Sequence, residues 1–185
     1  MTVGVSEALD LVMRAILAPG DEVLIPEPCY VSYQACTILA GGKPVAVPAK
    51  IENEFRITPD ELEEHVTPRT KALLIGYPNN PTYGGEKHVC FSSLPGMQER
   101  TILLNGFSKA YAMTGWRIGY ALGNKAFISA MTKIHQYTML CAPITAQIAA
   151  IEALRHGEKY MKKMVAEYDR RRHLIYDGFT KMGLP

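Results

Sequence analysis

Short apolar runs alternate with segments of helical periodicity through the first two thirds of the chain. The runs Asp21–Pro26 and Lys71–Gly76 lie between breakers, as buried strands do. Apolar side chains at spacings of three and four predict a helix over residues 5–17, ended by Pro19-Gly20. Beyond residue 122 only helical periodicity remains. Strands that alternate with helices predict an α/β fold, a three-layer α/β/α sandwich with a mainly parallel sheet.

The other predicted elements fit the same alternation. A capping-box pattern at Thr58-Pro59-Asp60-Glu61 predicts a short helix that ends near His65. The turn-rich stretch 77–82 follows the strand at 71–76. Further strands are expected at 43–47, 101–105 and 117–122, and further helices at 30–39, 124–139, 145–154 and 158–182.

Composition excludes several classes of protein. With 185 residues, 48% hydrophobic and 21% charged, the chain is neither a disordered tail nor a disulfide miniprotein, and its length suits one domain. A net charge of +2 gives little attraction for nucleic acid or anionic lipid. No apolar run approaches the roughly 18 residues of a membrane span, and the acidic N-terminus is unlike a signal peptide. The sequence therefore predicts a cytoplasmic protein with neither nucleic acid nor membrane as a partner.

The cysteines and histidines do not follow the spacing of a metal site. The four cysteines form no C-x-x-C pair, and the five histidines never stand four residues apart. We therefore expect reduced, structural thiols and no metal site.

A lysine in the segment Asn105–Tyr120 is the strongest chemical signal. Lys109 follows a predicted strand, where open α/β sheets bind ligands, and Arg117 comes eight positions later. Partial desolvation and a second cation would make its amine available as a nucleophile, as Schiff-base chemistry requires. A solvated surface lysine is the alternative interpretation.

The stretch S-K-A-Y-A-M-T-G-W-R-I-G resembles the cofactor-lysine motif of class I/II aminotransferases, which are pyridoxal 5'-phosphate enzymes of fold type I. The resemblance implies that Lys109 forms the imine (aldimine) with the cofactor and later moves the substrate proton. It also implies that Arg117 clamps the cofactor phosphate, with the Ser108 hydroxyl close by. Gly115 and Gly119 are expected to permit close backbone approach.

Three further segments occur in the order that the family has them. The turn at Gly4, Val5 and Ser6 resembles the helix start whose amides hold the phosphate. Tyr30 is expected to stack on the pyridine ring, and Asn80, in Y-P-N-N-P-T, to donate to the cofactor's phenolic oxygen. Taken alone, Tyr30 is equally well interpreted as a core tyrosine at a helix start.

The chain also departs from the family pattern. Tyr83 replaces the glycine of N-P-T-G, and roughly thirty family residues, including a D-x-x-Y strand, are missing between Thr82 and Tyr83. The resemblance therefore implies that the acid paired with the pyridinium nitrogen is absent, which would make transamination slow or absent. Either the polypeptide lacks these residues or the written sequence omits them; numbering that continues from a Met favours a deletion.

The resemblance implies a function and a domain assignment. Residues 1–185 are interpreted as the cofactor-binding large domain, without the N-terminal segment, the D-x-x-Y region and the C-terminal small domain. The implied reaction transfers an amino group from an amino acid to a 2-oxo acid, in a parent protein that forms homodimers. A carbon–sulfur lyase of fold type I and a non-catalytic cofactor-binding or effector module are the alternatives.

Overall fold

Three short strands in the first half of the chain pair in parallel in the computed structural model, which describes residues 1–76 and 89–184. Strand β1 (Glu22–Glu27) lies at the centre, between β2 (Lys43–Pro48) and β3 (Thr70–Leu73). Val23 and Ile25 of β1 are fully buried, as expected for a strand paired on both sides. The predicted α/β fold with a mainly parallel sheet is confirmed.

A second pair of strands runs antiparallel. Strand β4 (Leu103–Gly106) pairs with β5 (Gly119–Leu122), and Gly119 also exchanges two backbone hydrogen bonds with Thr2, at 2.8 and 3.0 Å. Thr2 and β4 both run opposite to β5, so they run in the same direction. The segments that follow them, the start of helix α1 (Gly4–Ile16) and the loop after β4, therefore leave the strands at the same edge.

The predicted helices form, with ends shifted by one or two residues. The capping box is present: the Thr58 hydroxyl accepts from the Glu61 amide, and the Glu61 carboxylate accepts from the Thr58 amide. Asn124 caps the first of the later helices by accepting from the Ala126 amide. After α1 the helices are α2 (Ser32–Leu39), α3 (Pro59–Glu63), α4 (Lys125–Thr138), α5 (Ile144–His156) and α6 (Glu158–Lys181).

Two apolar clusters fix the strands and helices. In the first, the buried side of α1 packs with β1 and with Met131 of α4. In the second, the loop between β4 and β5 contributes Phe107, Met113 and Ile118, which pack against small alanines that include Ala146 of α5. The loop that carries the candidate lysine is therefore held from inside by its own apolar residues.

Two strands are shorter than the sequence predicts. The strand expected at 117–122 begins only at Gly119, because Arg117 has a φ of +50°, which is incompatible with extended backbone. The strand expected at 71–76 ends at Leu73, and its last recorded pairing is the Leu74 amide donating to Leu24. The predicted turn at 77–82, with Asn80, and the junction after Thr82 lie outside the described residues.

Membrane and metal features are absent from the part of the chain that the structure describes. None of the helices in residues 1–76 and 89–184 combines the length and apolar character needed to cross a membrane. In the same ranges, no group of three or more His, Cys, Asp or Glu side chains could hold a metal ion. The four cysteines are free thiols.

Candidate functional site

The first turn of α1 lies against the guanidinium of Arg117. The amides of Gly4, Val5 and Ser6 have no partner inside the helix, and Val3 at the N-cap position supplies no side-chain cap. A Cβ added to Gly4 would lie 2.7 Å from Nη2 of Arg117. Backbone donors and a cation thus lie close together, and this combination of groups is the one that binds phosphate in proteins.

Gly4 and Arg117 both have unusual backbone conformations. Gly4 has a φ of +82°, so a side chain there would be strained in addition to colliding with Arg117. Arg117 itself has a φ of +50°, and its Nη1 donates to the Thr114 carbonyl at 3.1 Å. Non-glycine residues with positive φ are costly and cluster at functional sites. The surrounding loop therefore holds Arg117 in an orientation toward the first turn of α1.

Close backbone packing brings β5 against this turn. A Cβ on Gly119 would lie 2.9 Å from both the carbonyl carbon of Gly4 and the amide nitrogen of Val5. The close approach expected at Gly119 is therefore present, and Gly106 packs equally tightly against the Val5 side chain. The same expectation for Gly115 is wrong, because a Cβ there would meet no atom within 4 Å.

Phe107 anchors the turn that carries Ser108 and Lys109. Its side chain is 1% exposed and packs against the rings of Tyr111 and Tyr120, with centroids 5.5 and 5.9 Å away. Its carbonyl accepts hydrogen bonds from the amides of Tyr111 and Met113. Because Lys109 is only three residues beyond Gly106, chain geometry keeps its Cα within about 10 Å of that strand end.

Lys109 is exposed, which differs from the partial desolvation that the sequence suggested. The reason is that Phe107 takes the buried position of this loop, which leaves the following turn at the surface. Within the described residues, the Lys109 ammonium forms no ion pair or side-chain hydrogen bond, while Ser108 beside it is half-buried.

Tyr30 lies at the carboxyl end of β1, in the segment that leads to α2. Its side chain is 57% exposed, and its ring meets Tyr33 edge-on at a centroid distance of 5.8 Å. Burial raises the pKa of the Tyr33 hydroxyl and of the Cys29 thiol, so both groups are neutral at pH 7. Among the described residues, no recorded contact joins Tyr30 to Lys109 or Arg117.

A largely buried contact between Glu7 and His135 lies beside the first turn of α1, and no sequence pattern predicted it. One Glu7 carboxylate oxygen lies 2.8 Å from Nδ1 of His135 in α4, and the other accepts from the Val3 amide at 2.5 Å. The two residues are separated by 128 positions. No local pattern links such distant partners, so tertiary structure was needed to find the pair.

Comparison with known proteins decides the family. Residues 1–82 and 83–185 match the family described as aminotransferase class I and II. The chain belongs to this family. The match to this aminotransferase family breaks between Thr82 and Tyr83, where the sequence predicted missing residues.

Individual aminotransferases align along nearly the whole chain. The "Aromatic-amino-acid aminotransferase 2" of Thermococcus litoralis is 40% identical over 220 residues, covering 100% of this chain and 57% of the relative. An "Aspartate aminotransferase" of Pyrococcus abyssi is 42% identical over 218 residues, covering 99% and 56%. The crystal structure of the aromatic aminotransferase from Pyrococcus horikoshii OT3 superimposes with a TM-score of 0.93 at 39% identity, covering 100% of this chain and 58% of that one.

The chain spans little more than half the length of these relatives. The first alignment covers 220 positions although the chain has 185 residues, so about 35 positions have no counterpart here. Together with the break at Thr82–Tyr83, this indicates that the missing positions fall at that junction.

Enzymes of this family use pyridoxal phosphate. The described residues fit the phosphate end of that cofactor, because the amides of the first turn of α1 and the Arg117 guanidinium, two kinds of group that bind phosphate, lie next to each other. The residues expected around the other end of the cofactor are only partly described, since Asn80 lies in the undescribed stretch.

Proposed function

We propose that this chain is the pyridoxal-phosphate-binding large domain of an aminotransferase. The parent enzyme transfers an amino group from an amino acid to a 2-oxo acid. The observation that carries the proposal is the meeting of Gly4 and Arg117, which lie 113 positions apart and come from two separate family motifs. The match to the family along both halves of the chain supports it.

The binding roles follow from the donors that each residue offers. The amides of Gly4, Val5 and Ser6 donate to the phosphate, and Arg117 binds it with a planar guanidinium that suits two parallel hydrogen bonds. We assign the Ser108 hydroxyl to the same phosphate because it follows β4 at the same edge. Tyr30 presents an exposed ring for stacking, and Asn80 is assigned a donor role by its motif alone.

The chemical role falls to Lys109. Pyridoxal phosphate, when bound, supplies the electron sink that stabilises a carbanion at the substrate α-carbon. The Lys109 amine holds the cofactor covalently between turnovers and, once released, carries a proton at Nζ to and from that carbon. Its unpaired ammonium among the described residues is compatible with this exchange of roles.

We infer different properties for the 185-residue chain itself. Because about 35 positions are missing near the ring-binding region, the chain should bind the cofactor through its phosphate while transferring amino groups slowly or not at all. For the parent protein we propose a cytoplasmic homodimer, as expected of the family. The described helices include no membrane span.

Titration with pyridoxal phosphate, followed by borohydride reduction and peptide mass analysis, tests the proposal. We expect saturable binding and a reduced adduct on Lys109. A half-reaction with aspartate or an aromatic amino acid then measures turnover, and release of pyruvate and sulfide from cysteine would instead favour the lyase alternative. Absence of binding, or an adduct confined to other lysines, would contradict the proposal.

A further inference from the structure

The Glu7–His135 pair lies beside the first turn of α1, where Gly4 meets Arg117. The Glu7 and His135 side chains are 13% and 11% exposed, and each Glu7 oxygen has its own partner. One oxygen accepts from Val3, the residue before Gly4, and the other contacts His135 of α4. The Glu7 carboxylate therefore connects the start of α1 to α4.

The geometry points to a positioning role, which rests on the proposed function. We propose that the Glu7–His135 pair is a positioning device that holds Val3 and the first turn of α1 so that the amides of Gly4–Ser6 face the cofactor phosphate. Glu7 is one helical turn beyond Val3, so its carboxylate reaches back over the turn that it stabilises. By accepting from the Val3 amide it fixes the backbone immediately before the phosphate donors.

His135 holds the Glu7 carboxylate in place. Its ring projects from the last turn of α4 and packs beside Thr2 and Met131, which line a small cavity of about 50 Å³ with it. Thr2 is the residue that pairs with Gly119, and Gly119 packs on Gly4. The pair thus reaches the first turn of α1 by two routes, directly through Val3 and indirectly through Thr2 and Gly119, although neither side chain contacts Gly4 itself.

The ratio of the affinities for pyridoxal phosphate and pyridoxal tests this role. A general loss of folding would weaken binding of both compounds, whereas a misplaced turn weakens only binding through the phosphate. For Glu7→Ala we expect the ratio to fall about tenfold, the effect of losing one charge-assisted hydrogen bond. His135→Ala should lower the ratio less, and His135→Asn, whose amide can replace Nδ1, should restore it.

The chain offers a matched control on α5. His156 and Glu152 form the same type of pair at 2.7 Å, but both side chains are more than half exposed and lie on a different helix. Glu152→Ala removes that pair and should leave the ratio unchanged. If Glu7→Ala does not fold, the two His135 variants provide the same measurement.

The outcomes separate the inference from the function on which it rests. A wild-type chain that binds pyridoxal phosphate no better than pyridoxal would contradict the phosphate site and the positioning role together. A wild-type preference that persists in folded Glu7→Ala and His135→Ala would overturn the positioning role alone. Selective loss of the preference, with rescue by His135→Asn, would support it.

Discussion

Strands β5 and β3 differ in how their edges are covered. Strand β5 is flanked on one side by β4 and on the other by Thr2, and Gly119 in it is buried. Strand β3 pairs with β1 on one side, and no other described residue pairs with it. Leu73 and Ile75, at and just beyond its end, are 37% and 49% exposed.

The difference coincides with the gap in the sequence. The exposed end of β3 comes shortly before the break at Thr82–Tyr83, whereas the α1 start, β4 and β5 lie in uninterrupted parts of the family match. The described motifs at Gly4–Ser6 and around Arg117, which lie away from the gap in sequence, come together. We expect the missing positions to cover the end of β3 and to supply the rest of the site.

Of the changes in the uninterrupted region, loss of Lys109 should have the largest effect on attachment of the cofactor. Lys109→Ala should abolish the adduct that borohydride traps with pyridoxal phosphate, because no amine remains at that position. Noncovalent binding should persist, since Gly4–Ser6 and Arg117 still hold the phosphate. Reductive trapping with mass analysis measures the first effect, and fluorescence titration measures the second.

Lys133→Ala provides the control for that experiment. Lys133 is an exposed lysine of α4, away from the loop that carries Lys109, and its removal should leave the adduct unchanged. If the adduct survived in Lys109→Ala, another lysine would hold the cofactor, and Lys71, Lys87 and Lys125 would be tested next.

Restoring the missing segment should reduce the difference in edge exposure between β3 and β5. We expect an insertion of the corresponding positions of the Thermococcus litoralis relative between Thr82 and Tyr83 to cover Leu73 and Ile75. Burying the exposed parts of these side chains should raise the free energy of unfolding by about 2 kcal/mol. The rate of amino-group transfer should rise together with the stability. Urea unfolding measures the stability, and a coupled assay measures the transfer rate.

A Gly/Ser insertion of equal length at the same junction is the control. It lengthens the chain without supplying an apolar strand, so it should leave stability unchanged or slightly lower. Equal stability of the two insertions would show that the exposed end of β3 does not result from the gap.

Gly4→Ala tests the tightest contact of the uninterrupted region. The new Cβ would meet Arg117 at 2.7 Å and adopt a positive φ, so we expect a loss of about 2 kcal/mol in stability and weaker binding of pyridoxal phosphate. Gly41→Ala is a matched control, since Gly41 has a φ of +85° and no atom within 4 Å of an added Cβ. Only Gly4→Ala should lower phosphate-dependent affinity; equal effects on affinity would mean that the Arg117 contact is unimportant.

Sequence reasoning succeeded where a local signal carries the structure. The capping box at Thr58 depends on residue types and spacing, and it is present. Sequence reasoning failed where long-range packing decides the burial or the partner of a side chain. Phe107 takes the buried place in its loop and leaves Lys109 exposed, and Glu7 finds a partner 128 positions away. Neither outcome leaves a periodicity or motif that could be read in advance.

The smallest expected effect lies at the other end of the parallel sheet, which a buried carboxylate holds together. Glu22 in β1 accepts from the Thr67 hydroxyl at 2.6 Å, just before β3, and from Nζ of Lys43, at the start of β2, at 3.0 Å. These hydrogen bonds, Thr67 first and then Lys43, hold the pKa of Glu22 below its usual 4.5.

The direction of its pH dependence follows from that lowered pKa. The stabilisation is fully present above about pH 4.5, where the carboxylate is ionised in both states, and is lost as the pH falls through the lower folded value. Glu22→Gln should therefore be less stable than wild type near pH 7, and the difference should shrink in acid. Thermal unfolding across this pH range measures the difference in stability, and the variant Glu152→Gln, at an exposed carboxylate, is the control. A stability difference between Glu22→Gln and wild type that stays constant at every pH would mean that packing, rather than the charge of Glu22, holds the amino ends of the three strands together. The two ends of this sheet would then differ only through the gap.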